Sequence, residues 1–200
     1  MTIYLVRHGL AAAGVADLDP GLAELGHEQA RAAAKALSGV TRARLVVSPL
    51  RRTRETADPI AEALSLAPEI RDEVAEVFDP SLPTEQRQAM IGPFMAGMWG
   101  DQPDVLRAWR ARVVAALLTM GLESAAAGSD LVVVSHYIAI GVAIGEATGD
   151  DRVVPAPIAN CSITTLEVGH GAFTLLEAGA TGHLAAELVT GVHSAMMGRG

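Results

Sequence analysis

Blocks of apolar residues in this chain alternate with helically spaced ones, a pattern that predicts strands separated by helices. Residues 2–6 are a short, β-branched, apolar run that suits a buried strand. Residues 10–20 are small residues, Gly, Asp and Pro, and read as a loop. The Ala-rich residues 22–37 put Leu22, Leu25, Gln29, Ala33 and Leu37 at helical spacing, and Gly39 follows as a stop. Residues 44–48 predict a second buried strand, and 49–64 a helix that Pro59 kinks or divides. Residues 103–122 return to helix through Val105, Leu106, Trp109, Val113 and Leu117. Residues 130–135 form the clearest strand pattern, 138–148 a short helix, and 162–168 with 173–177 two closing strands. From residue 186 onward the chain is expected to fray.

Residues 71–100 break the alternation. Pro80, Pro83, Pro93 and three glycines are interleaved there with Met90, Phe94, Met95, Met98 and Trp99. This segment reads as an irregular excursion with a short helix, lid-like at about 77–102 within one domain spanning residues 1–200. It serves either as a satellite core or subunit contact, or as an apolar lid over a leaving group. Alternation of strand and helix implies an α/β fold, a three-layer sandwich with a mostly parallel sheet and helices on both faces. In such folds the chemistry sits just beyond the carboxyl ends of the strands.

Composition narrows the partners. At 200 residues with a net charge of −8, the chain lacks the basic surface that nucleic acid demands, so any attraction for an anion must be local. No apolar run reaches membrane-spanning length, and the N-terminus reads directly as a strand. The single cysteine, Cys161, leaves no internal disulfide and fits a reducing cytoplasm. The expectation is a soluble, cytoplasmic protein with no membrane and no nucleic acid partner; an exposed apolar excursion would suit a homodimer.

The residues that follow three predicted strands supply the chemistry. Arg7-His8-Gly9 follows the first, Ser48-Pro49-Leu50-Arg51-Arg52 the second, and Ser135-His136 the long one. Arginines and histidines converging on one sheet edge make an anion cage, and a tetrahedral phosphoryl group suits it best. A neutral imidazole held by one nitrogen can attack phosphorus with the other, and a second imidazole, cationic beside bound phosphate, can donate. A carboxylic acid must then protonate the leaving group.

These blocks, LVRHG, SPLRRTRETA and VVVSHYIAIG, together with DPGLAELGHEQA and NCSITTLEV, resemble the histidine phosphatase superfamily, the phosphoglycerate mutase-like family. The resemblance implies a metal-independent phosphomonoester hydrolase with no cofactor, acting on a small phosphorylated substrate or a phosphoprotein. His8 is the implied nucleophile, Arg7, Arg52 and His136 the phosphate ligands, and Glu76, in RDEVAEVF, the acid/base, with Glu73 the second choice. Where the family often carries Glu or Thr and then an Asn after RHG, this chain has Leu10-Ala11-Ala12-Ala13-Gly14, so that phosphate contact is absent. The rivals are a phosphoglycerate mutase-type isomerase and, in another class, a catalytically weak phosphate-binding or protein-docking module.

Other residues receive plainer roles. Arg51 and Arg54 read as surface helix residues, His27 as exposed, His170 as part of a turn, and His183 as structural; His193 falls in the tail. No two histidines have metal-ligand spacing. Cys161 has Glu167, not arginine, six residues on, so it reads as a packed thiol.

Overall fold

The computed structural model describes residues 1–12, 17–78 and 84–192. Its central six-stranded sheet has the order β3-β2-β4-β1-β5-β6. The strands are β1 (Thr2–Arg7), β2 (Ala43–Val47), β3 (Pro68–Ile70), β4 (Asp130–Ser135), β5 (Ile163–Gly169) and β6 (Ala172–Ala180). The β3-β2-β4-β1 block is parallel, and β5 runs antiparallel to both β1 and β6. The helices are α1 (Glu24–Leu37), α2 (Arg51–Leu64), α3 (Thr84–Met95), α4 (Asp104–Ala126) and α5 (Tyr137–Thr148).

Period-two alternation along the strands divides the core between the two faces. Val6, Leu45, Val47, Val132 and Val134 pack with α1 and α2. Ile3, Leu5, Val46, Leu131 and Val133 pack with α4 and α5. This is the expected three-layer α/β arrangement. Because strands buried on both faces are apolar throughout, the sequence marked them clearly.

Several elements differ from the sequence expectation. Pro59 does not divide α2, which runs unbroken through it. The proline removes one backbone donor, while Thr53, Thr56, Ala57 and Ile60 bury the helix face on either side of it. α4 extends to Ala126 because Glu-Ser-Ala-Ala continues the helix until Gly128, at φ 64°. The apolar pattern missed β3: it has three residues, begins with proline and lies at the sheet edge.

The excursion is more regular than its prolines suggest. α3 takes up twelve residues and contains Pro93; Pro80 and Pro83 lie outside the described residues. Phe78, Phe94 and Trp99 are buried in the main core, edge to face, and Trp99 stacks on Trp109 of α4. Met90, Ile91 and Met98 remain exposed. His170 and Gly171, at φ 53° and 76°, form the tight turn between β5 and β6. Residues 186–192 do not fray: a short 3₁₀ turn, Ala186–Leu188, leads them back to α1, the loop before β5 and the end of β1. His193 and the residues after it lie outside the described residues.

Candidate active site

The four parallel strands place their carboxyl ends side by side, and each supplies one part of the site. β1 ends in Arg7 and leads to His8; its neighbour β4 leads to His136, β2 to Ser48 and Arg52, and β3 to Glu76. Adjacent strands are ~4.8 Å apart, so residues distant in sequence come within hydrogen-bond reach. The N-termini of α2 and α5 begin immediately after two of these strands and add positive potential at the same edge.

His8 is buried, and its Nδ1 lies 2.8 Å from the Gly9 carbonyl oxygen. A carbonyl only accepts, so Nδ1 carries the proton and Nε2 carries a lone pair. Close backbone packing shapes this turn: a Cβ on Gly9 would lie 2.6 Å from the Gly26 carbonyl oxygen of α1. Gly9 N–H donates to Thr56 Oγ1 of α2.

His136 is fully buried, with its ring 5.3 Å from that of His8. Arg52 Nη2 lies 3.2 Å from His136 Nδ1. A guanidinium only donates, so Nδ1 accepts and Nε2–H donates to Ser48 Oγ at 2.7 Å. Burial comes first, and the Arg7 and Arg52 charges second, in holding His8 well below the usual histidine range. Burial likewise dominates at His136, followed by His8, Arg52 and Arg7. Both rings are therefore neutral at neutral pH.

Arg7 donates from Nη1 to the carbonyls of Ile158 and Gly191, and its guanidinium carbon sits 4.9 Å over the Tyr137 ring. Its Nε is buried with no partner among the described residues. Burial lowers this guanidinium to about 10. Such a desolvated cation with a spare donor is suited to an incoming oxyanion.

Glu76 belongs to this cluster. Its Oε2 lies 3.5 Å from Arg52 Nη2 and 3.6 Å from His136 Nδ1, while Val77 N–H donates to its Oε1. The turn that carries it is pinned from β4, where Ser135 Oγ donates to the Val74 carbonyl at 2.7 Å. Glu73 is exposed and faces α4 beside Ala116 and Met120, away from the cage. Arg51 is also outside the cage: its Nε bonds Glu55, and its N–H meets Asp19. Among the described residues, no three of His, Cys, Asp or Glu are grouped to hold a metal ion.

The sequence reading gave no role to four residues that hold these groups in place: Ser48, Tyr137, Ser135 and Asn160. Asn160 Nδ2 donates to the His8 carbonyl at 3.0 Å. All four lay inside the quoted blocks, Asn160 as the first residue of NCSITTLEV, and that position was the one available signal. His183 donates its Nε2–H to the Cys161 carbonyl, 3.0 Å away, and is structural. Burial pushes the Cys161 thiol up to about 12, which makes it inert.

The fold is shared with solved structures of known type. A phosphoserine phosphatase from Entamoeba histolytica, in complex with 3-phosphoglyceric acid, superposes with a TM-score of 0.70 at 21% identity, over 92% of this chain and 99% of that one. A phosphoglycerate mutase from Bacillus anthracis gives 0.68 at 20% identity, over 91% and 94%. A mycobacterial glucosyl-3-phosphoglycerate phosphatase, complexed with VO3, gives 0.67 at 25% identity, over 90% and 99%. No curated protein matches the chain. The family model of the histidine phosphatase superfamily (branch 1) matches residues 3–181, which span every strand and each member of the cage, and the chain belongs to that superfamily.

Proposed function

We propose that this chain is a phosphomonoester hydrolase that works through a phosphohistidine at His8. The observation that carries the reading is the fixed tautomer of His8: Nδ1–H is committed to the Gly9 carbonyl, which leaves the Nε2 lone pair beside Arg7, Arg52 and His136. In the first step Nε2 attacks phosphorus and the P–O bond to the leaving group breaks. Glu76, in its protonated form, gives the departing oxygen its proton. Arg7, Arg52 and His136 stabilise charge on the equatorial oxygens. The negative charge of bound phosphate favours protonation of His136, whose second nitrogen then also becomes a donor. In the second step Glu76, now ionised, takes a proton from water as the water attacks phosphorus, and the P–N bond breaks to free His8 and inorganic phosphate.

The superfamily contains both phosphatases and mutases, and hydrolysis is favoured here by the mouth of the site. Asp19 lies 3.9 Å from Arg52, and Arg51 is paired with Glu55. Among the described residues, a phosphorylated sugar acid would meet carboxylates there rather than a second basic cluster. The VO3 complex of the mycobacterial phosphatase supports the oxyanion reading, since vanadate is a phosphate mimic.

The test is a panel of small phosphomonoesters in chelator, with rapid acid-free trapping of labelled substrate. Label on the His8 peptide, lost in His8→Ala, is expected. Full activity in His8→Ala would falsify the mechanism, and rapid interconversion of 2- and 3-phosphoglycerate with negligible phosphate release would favour the mutase.

A further inference from the structure

The family match ends at residue 181, yet the chain beyond it returns to the nucleophile. Three carbonyls in the segment from Leu188 to Gly191 are held by residues of the matched domain. Gln29 Nε2 donates to Leu188 O at 2.7 Å, Asn160 N–H to Thr190 O at 2.9 Å, and Arg7 Nη1 to Gly191 O at 2.8 Å. The Thr190 hydroxyl accepts from Gln29 Nε2 at 2.8 Å and donates to Asn160 Oδ1 at 3.1 Å.

Gln29 and Asn160, 0% and 2% exposed, each hold this strap with one end and the backbone around His8 with the other. Gln29 Oε1 accepts from Leu10 N–H at 2.8 Å, and Asn160 Nδ2 donates to His8 O at 3.0 Å. Gly191 sits at φ 74°, so close that a Cβ there would lie 2.2 Å from Asn160 Oδ1 and 2.8 Å from Arg7 Nη1. Substitution at 191 must displace an amide or a guanidinium that borders the site.

We propose that this C-terminal strap is part of the phosphate site, and that Thr190 and Gly191 are positioning residues for Arg7 and the His8 backbone. The proposal rests on the reading of Arg7 as an oxyanion ligand. Arg7 Nη1 has two carbonyl partners, Ile158 and Gly191, and with the Tyr137 ring they fix the guanidinium plane. Loss of the Gly191 contact frees the fork to pivot, so its remaining donors meet the oxyanion in the wrong geometry. Coupling must also run the other way: an oxyanion on Arg7 tightens the strap.

The probes are inorganic phosphate and vanadate, read by calorimetry, with amide exchange at Asn160, whose N–H is covered by Thr190. Thr190→Val removes both hydroxyl bonds at nearly constant volume, and Gly191→Ala pushes on Arg7 directly. Each is expected to weaken oxyanion binding about tenfold, the scale of one lost hydrogen bond. Thr190→Ser should restore wild-type affinity, and phosphate should slow Asn160 exchange in wild type more than in Thr190→Val. Should Thr190→Val not fold, Gly191→Ala decides. Wild-type affinity in the folded variants overturns the strap proposal alone. A wild type that binds neither oxyanion overturns the phosphate reading, and the strap proposal falls with it.

Discussion

Lowering the pH from 7.0 to 5.5 in phosphate-free buffer should destabilise this protein by up to about 2.5 kcal/mol through His8 and His136 alone. Burial holds both rings well below their ordinary 6.5 in the folded state. The unfolded chain therefore takes up protons near 6.5 that the native state refuses. The stabilisation is fully present above 6.5 and is lost as pH falls through that value. For one ring that stays neutral when folded, the loss between these two pH values is about 1.2 kcal/mol, so two rings set the limit given. Depressed carboxylates such as Glu55, Glu69 and Asp150 lose their contribution only at lower pH, outside this window. Urea titrations at the two pH values measure the loss, and His8→Asn and His136→Asn should each reduce it by about 1.2 kcal/mol. Phosphate in the buffer should reduce it as well, because bound anion favours a charged His136. If both variants keep the full wild-type pH dependence, the rings are not held neutral, and the tautomer argument fails with them.

Three further outcomes test the parts of the cage. Arg52→Ala should lower kcat/KM about a hundredfold, the ~3 kcal/mol of a lost preorganised donor. Arg51→Ala should stay within about twofold, since its exposed pair with Glu55 is worth little; the reverse order would refute the assignment. Glu76→Gln should slow phosphoenzyme formation far more from an alkyl than from an aryl phosphate, and Glu73→Gln should slow neither. If Glu73→Gln shows that dependence instead, the acid lies three residues away. Activity should persist in excess EDTA; loss restored by zinc or magnesium would show that a metal shares the work of the arginines.

How much of the site the sequence reveals depends on how far each residue's partner lies. Arg7, His8, Arg52 and His136 follow strands buried on both faces, whose continuous apolar runs announce their own ends. Glu76 could be approached only by resemblance, because β3 is three residues long and its turn is fixed by Ser135, 61 positions away from Val74. Gln29 looks like an ordinary polar residue on an Ala-rich helix, yet it is fully buried because its amide joins Leu10 to the strap. The strap has small and polar residues with no periodicity, so local pattern predicts fraying. Its order comes from three long-range carbonyl contacts, which no local window contains. Phe94 and Trp99 were legible as apolar, with a satellite core as one reading, but not as part of the main core, since proline-broken sequence hides the return of the chain onto α4.

The tautomer on which the proposed role of His8 as nucleophile rests also separates catalysis from mere phosphate binding. Arg7 and Arg52 present donors, and His136 becomes one when protonated, whereas His8 presents an acceptor, since its only ring proton is committed to Gly9. A lone pair aimed at an anion opposes binding unless a bond to phosphorus forms. A docking module would be better served by a donor at this position, and an asparagine amide supplies one. His8→Asn should therefore bind inorganic phosphate at least as tightly as wild type while forming no phosphoenzyme. Calorimetry with phosphate and label trapping with substrate read the two halves separately. If His8→Asn loses phosphate binding in proportion to turnover, the ring serves as a donor to the anion, and the attack at phosphorus must be assigned elsewhere.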